Sequence, residues 1–167
     1  LVIVYGKTTI YNGIAETSNK NAHVYSVNGA TDDKNGLGNV SYPFTAAGAQ
    51  NAVKDLSWTS NTEYESTDEV YVKGKISRIA NNGTFTQGGT YGNASFYISE
   101  DGSESNEFYC FRVLYLGNQT FTEYPEGTDI KVGDDVIICG KLMNYKGDTP
   151  ETVSGKAYLY SLNGKTE

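Results

Sequence analysis

One internal match constrains this chain more than any other feature. Residues 1–29, LVIVYGKTTIYNGIAETSNKNAHVYSVNG, recur near the far end as VIICGKLMNYKGDTPETVSGKAYLYSLNG. Val2 aligns with Val136, Gly6 with Gly140, Lys7 with Lys141, Tyr11 with Tyr145 and Gly13 with Gly147. After one inserted residue, Glu16 meets Glu151, Thr17 meets Thr152, Tyr25-Ser26 meets Tyr160-Ser161, and Asn28-Gly29 meets Asn163-Gly164. A match at one nearly constant offset marks tandem units. The offset is 134 to 135 residues in a chain of 167, which leaves room for one whole unit. The chain therefore reads as the end of an incomplete unit (1–29), a turn-rich linker (30–42) and a complete domain (43–167).

The complete unit has ordinary domain size and can bury a core. Net charge is −7, and residues 1–40 hold three basic and three acidic side chains, so the excess sits in the complete unit. An acidic surface opposes charge-driven binding to nucleic acid or anionic membrane in general, while leaving room for a local basic groove. No run approaches the roughly 20 apolar residues of a membrane span. The chain opens inside a strand pattern and shows no signal peptide. Nineteen glycines and fourteen tyrosines suit an all-β domain with tight turns. Cys110 and Cys139 fall in strand patterns and read as buried free thiols, with a disulfide as the alternative. Tyr5 stands where Cys139 stands in the repeat, so a bridge is not a requirement of both copies.

Val2–Tyr5 and Ala22–Val27 read as two strands. A short helix is expected after Thr45 as N-cap, with Phe44 as a staple and Ala49, Ala52, Val53 and Leu56 on one face. The stretch from Trp58 to Thr67 reads as irregular. Strand patterns then follow at 70–76, with a bend or bulge expected at Gly74, and at 94–99, 108–116, 136–145 and 157–162. In the 108–116 strand, Tyr109, Phe111, Val113 and Tyr115 share one face. Phe108, Cys110, Arg112 and Leu114 share the other, which the arginine marks as the solvent side. Five strands with a longer excursion between the third and fourth is the order of an OB-fold. The expected fold is thus an all-β, five-stranded OB-fold barrel with a short N-terminal helix, preceded by the last two strands of a truncated repeat.

The segments VYVKGKIS, NASFYISEDG, FYCFRVLYLGN, IKVGDDVIICGKLMNYKG and AYLYSLNG resemble bacterial OB-fold domains of secreted and surface-anchored proteins. They are similar to the OB module that accompanies some extracellular nucleases. The resemblance covers 68–164, and 1–29 match its last two strands. It implies a closed barrel whose ligand face is formed by the second and third strands, flanked by the loops between strands one and two and between four and five. OB-folds use that face for oligonucleotides and oligosaccharides.

Catalysis has no residue set to carry it, and no catalytic residue, metal ligand or cofactor is assigned. Paired carboxylates, metal ligands or an activated nucleophile would be needed. The single histidine, His23, is replaced by Tyr158 in the complete unit and reads as a strand-surface residue. The turn Glu100–Glu104 lacks EF-hand spacing, and the glycine-rich GTFTQGGTYGN precedes a strand instead of a helix. A binding face fares better. Tyr97 and Arg112 point outward on adjacent strands, where an aromatic beside a guanidinium can stack a base or sugar and grip a phosphate or hydroxyl. Phe85 and Tyr91 in the first long loop, and Tyr145 with Lys146 at the start of the last, extend the platform. Lys73, Lys75 and Lys141 read as a solvated row that protects strand edges.

The function expected is a non-enzymatic OB-fold ligand-binding module of a secreted or cell-surface multidomain bacterial protein. Single-stranded nucleic acid is the leading ligand. An oligosaccharide is the alternative, and a structural or protein–protein spacer repeat is the third. No membrane insertion is expected. Residues 1–29 lack a barrel of their own, so they are expected to be disordered, to pair with another chain in self-association, or to lie against the complete unit.

Overall fold

A computed structural model describes residues 2–27, 35–80, 92–121 and 130–166. It divides into two compact units, Leu1–Lys34 and Asn35–Glu167. The division falls inside the expected linker, and residues 35–42 belong to the second unit. Tyr71 donates its backbone N–H to Gly38 and Thr45 donates to Asn35, which ties that stretch to the barrel.

The first unit is an antiparallel hairpin of β1 (Val2–Tyr11) and β2 (Ile14–Val27). Both strands run longer than the apolar patterns suggested, because Asn12 and Gly13 adopt positive φ of 50° and 79° and form a two-residue turn matched to strand twist. Val2, Val4, Ile10, Ile14 and Val24 are exposed on it.

The second unit begins with α1 (Ala46–Val53). The Thr45 hydroxyl accepts from the Gly48 N–H at 3.1 Å, satisfying one donor of the first turn. Ala46, Ala49 and Val53 are buried, while Leu56 lies beyond the helix end. Residues 58–67, expected to be irregular, hold a small hairpin of β3 (Trp58–Ser60) and β4 (Glu63–Tyr64). The barrel strands are β5 (Val70–Ile79), β6 (Ala94–Ser99), β7 (Phe108–Val113), β8 (Asp135–Tyr145) and β9 (Thr149–Leu162). They close in the order β5-β6-β7-β9-β8, with β8 returning to β5. Every pair is antiparallel except β7 with β9. This is an OB-like barrel. Phe96, Ile98, Phe108, Ile76, Ile138, Leu142 and Leu159 fill it, with α1 packed against the same core. Cys110 and Cys139 are free and buried, and burial raises the pKa of Cys110 well above that of an ordinary thiol.

The parallel seam is short. Tyr109 registers with Glu151, backbone pairing resumes where Leu114 donates to Ala157 and accepts from Leu159, and between them a side chain takes over from the ladder. The Thr152 hydroxyl accepts from the Phe111 N–H at 2.7 Å and donates to the Phe111 carbonyl at 2.9 Å. One hydroxyl therefore satisfies both backbone groups of Phe111. Thr152→Val keeps the shape and removes both bonds, and is expected to cost about 2–3 kcal/mol. Urea unfolding measures this; an unchanged midpoint would show that the seam does not depend on that hydroxyl.

Three expectations are corrected. Gly74 is not a bulge: it pairs regularly with Val136, and a Cβ there would sit 2.9 Å from the Ser99 carbonyl oxygen. The β5 irregularity lies at Ile76/Arg78 instead. The last strand spans 149–162 rather than 157–162, because its early polar half pairs with the end of β8. The faces of β7 are also reversed. Phe108 and Cys110 point into the core, whereas Tyr109 and Phe111 are half-exposed. Arg112 has φ +51°, which breaks the alternation, so it points outward after Phe111 and Val113 returns to the core. Across the irregularity, the buried Ser95 hydroxyl accepts the Arg112 N–H at 3.0 Å. An arginine does not mark the wet face of a strand when the backbone turns over at that same residue.

The two hairpins of the internal match have the same pairing. Val2↔Val27, Gly6↔Ala22, Thr9↔Glu16 and Tyr11↔Ile14 correspond to Val136↔Leu162, Gly140↔Ala157, Met143↔Glu151 and Tyr145↔Thr149. Both register shifts recur as well, at Ile3/Val4 and Gly6/Thr8 in one, and at Ile137/Ile138 and Gly140/Leu142 in the other.

Candidate binding groove

A groove of about 630 Å³ runs along the outside of the β7–β9 seam. Strand β7 supplies Tyr109, Phe111 and Arg112 to its wall; the β8–β9 hairpin supplies Met143, Tyr145, Thr149, Glu151 and Val153; the β3–β4 hairpin supplies Asn61 and Tyr64. The outward turn of Tyr109 and Phe111 makes this wall aromatic. Tyr145 is held from behind by Trp58, ring edge to face at 5.5 Å, so β3 positions a groove ring that it does not itself present.

Aromatic contacts continue across the neighbouring strands. Tyr109 stacks on Tyr97 with centroids 4.4 Å apart and planes 17° off parallel, and packs at 5.6 Å against Phe111. The Arg78 guanidinium lies 3.5 Å from the Tyr97 ring centre. A ring and a guanidinium that close cannot share one face of Tyr97 without overlap, so Tyr97 is sandwiched. Arg78 is fixed in turn by Glu107, through Nε at 3.0 Å to both carboxylate oxygens and Nη2 at 2.8 Å. Burial pushes the Glu107 carboxyl up, but hydrogen bonds from Arg78 and Ser77 outweigh it and hold the pKa below the ordinary glutamate range. The Arg112 guanidinium sits 4.9 Å from the Phe111 ring centre.

Glu151 lies in the middle of the groove, between Tyr109 of β7 and Met143 of β8 in strand register. It is 5% exposed. Desolvation raises its pKa from 4.5 to about 7. No hydrogen bond or ion pair to its carboxyl is found among the described residues, and burial is the sole cause of the rise.

The comparisons with known proteins add no family. No family model matches the chain, and no curated protein does. What the groove does must therefore be argued from its own chemistry.

Of the residues that the sequence singled out, Arg112 and Tyr145 line the groove. Lys146 stands in the adjoining β8–β9 turn at φ +56°, its Nζ 5.2 Å from the Tyr145 ring centre. Tyr97 lies outside the groove wall and has both ring faces occupied, so it supports Tyr109 and offers no stacking surface of its own. Phe85 and Tyr91 lie outside the described residues. The lysine row is interrupted, since Lys75 pairs with Asp135 at 2.6 Å. Sequence reasoning missed Tyr109, Phe111, Tyr64 and Glu151. For Glu151 a signal was available: it is one of the positions kept in both hairpins. Among the described residues no group of His, Cys, Asp and Glu could hold a metal ion, and no helix is long and apolar enough to cross a membrane.

Proposed function

We propose that residues 35–166 are a non-enzymatic ligand-binding module of OB type, and that an oligosaccharide lies along the groove beside the β7–β9 seam. The observation that carries this is the composition of the wall: aromatic faces from three elements surround a carboxyl, with Arg112 the one cation lining it among the described residues. Aromatic faces take the apolar faces of sugar rings, and flanking hydroxyl, amide and carboxyl groups take their hydroxyls.

The sequence alone favoured single-stranded nucleic acid, and this remains the second reading because Arg112 and Lys146 flank aromatic rings. The charge inventory weighs against it. Arg78 is committed to Glu107, Lys75 to Asp135, and the chain carries net charge −7. With Arg112 and Lys146 alone meeting phosphates, log affinity against log salt would fall with a slope of only about −1.4. A neutral glycan should bind with almost no salt dependence. Titrating the chain with oligosaccharides and with a thymidine decamer at several salt concentrations separates the two. Tyr109→Ala is expected to weaken glycan binding about tenfold, the value of one aromatic contact. Binding confined to the decamer, with a slope near about −1.4, would transfer the groove to nucleic acid.

The shared register of the two hairpins supports a further part of the proposal: β1–β2 is the closing hairpin of a preceding barrel of the same design, in a tandem array. The resemblance to bacterial secreted and surface OB domains supports a location outside the cell. In residues 1–167 the exposed apolar hairpin is a surface for self-association. Sizing 1–167 beside 35–167 tests that part: the longer chain is expected to self-associate, and two identical monomers would remove it.

A further inference from the structure

Glu151 is kept at a position where folding alone gives no reason for it. Of the residues identical in both hairpins, several have visible structural duties in the complete unit. A Cβ on Gly140 would collide with Ala157, Gly147 takes φ +80° in the turn, Thr152 closes the parallel seam, and Asn163 accepts the Asp135 N–H at 3.0 Å. Glu151 has no such duty. A buried carboxyl without a described partner destabilises the protein that carries it. Yet the other hairpin has Glu16 at the same register position, opposite Thr9 as Glu151 is opposite Met143. A group that is buried in the barrel, whose identity recurs in the other hairpin, and that opens onto an aromatic groove, is explained by a ligand that satisfies it.

We infer that Glu151 is the specificity-determining group of the groove, accepting hydrogen bonds from the hydroxyls of an uncharged sugar residue held against Tyr109 and Tyr145. This rests on the groove being the ligand site. A carboxylate in that place accepts two hydroxyl donors at once, and it repels uronates, sulfated sugars and phosphodiesters brought to the same spot. The pair Tyr145 and Glu151 recurs as Tyr11 and Glu16. A tandem array would therefore offer the same sugar-reading pair once per barrel, which suits a polymeric glycan and gains avidity along it.

The test uses the 167-residue chain and its Glu151→Gln and Tyr109→Ala variants on an array of neutral and acidic oligosaccharides together with a thymidine decamer. The expected hits are neutral oligosaccharides, with affinity falling about tenfold to a hundredfold in Glu151→Gln while the variant stays folded. Selection of acidic glycans, or wild-type affinity in Glu151→Gln, would overturn the role of Glu151. If in that case Tyr109→Ala still weakened binding about tenfold, the groove would stand as the ligand site without it. Binding of nothing on the array, or of the decamer alone, would remove the glycan groove and this inference together.

Discussion

Glu151→Gln is expected to make the protein more stable at pH 8 by about 3 kcal/mol. An ordinary glutamate titrates near 4.5, and Glu151 near 7; that difference corresponds to about 3 kcal/mol between the two protonation states. The folded protein holds the proton more tightly than the unfolded chain does, so folding is favoured while the carboxyl is protonated. That contribution is complete below about pH 4.5 and is lost as pH rises through 7. Tyr109 from β7, Tyr145 from β8, Tyr64 from β4 and the Arg112 guanidinium share the groove with it. Gln is nearly isosteric and does not ionise, so the variant should lose the decline in stability between pH 5 and 8. Urea unfolding of both proteins at pH 5 and pH 8 measures it. Parallel pH profiles would mean that Glu151 is solvated or paired. A variant both more stable and weaker in binding would be the signature of a residue kept for a ligand.

Gly140→Ala is expected to be the most damaging single methyl in the barrel. A Cβ at residue 140 would stand 2.5 Å from the Cα and Cβ of Ala157 and from the Lys156 carbonyl oxygen. Two of these are backbone atoms of the paired strand and the third is a methyl fixed to it, so no rotamer change relieves the overlap, and β8 and β9 must separate at a pair that also carries a register shift. The expected cost is at least about 3 kcal/mol. Ala157→Gly should not rescue it, because the Ala157 Cα is as close as its Cβ. Unfolding at wild-type urea concentration would show that the strands part there without penalty.

Much of the barrel was legible because its signals were local. The helix cap at Thr45, the alternation of Ala94, Phe96 and Ile98, and the repeated hairpin ending in Gly147 each follow from a few adjacent residues. What failed depended on non-local or conformational facts. The sides of β7 were assigned from Arg112, and only its positive φ reveals that the alternation breaks there. That one flip hid Tyr109 and Phe111 inside an imagined core and lent Tyr97 a prominence that its sandwiched ring does not have. The early half of β9 was missed because Pro150, Glu151 and Thr152 do not look like a strand interior, yet they close the seam and carry the groove. Residue identity between the hairpins already held the clue, since Glu16-Thr17 and Glu151-Thr152 match although the residues before them, Ala15 and Pro150, do not.

The titration of the Glu151 carboxyl, followed by its ¹³C chemical shift, addresses the central claim most directly. In the free protein the midpoint should lie near pH 7. With a neutral hexasaccharide retained on the array at saturation, it should fall by at least about one pH unit, because hydroxyl donors favour the carboxylate. A free midpoint near 4.5, or a midpoint that the bound sugar leaves unmoved, would contradict the account.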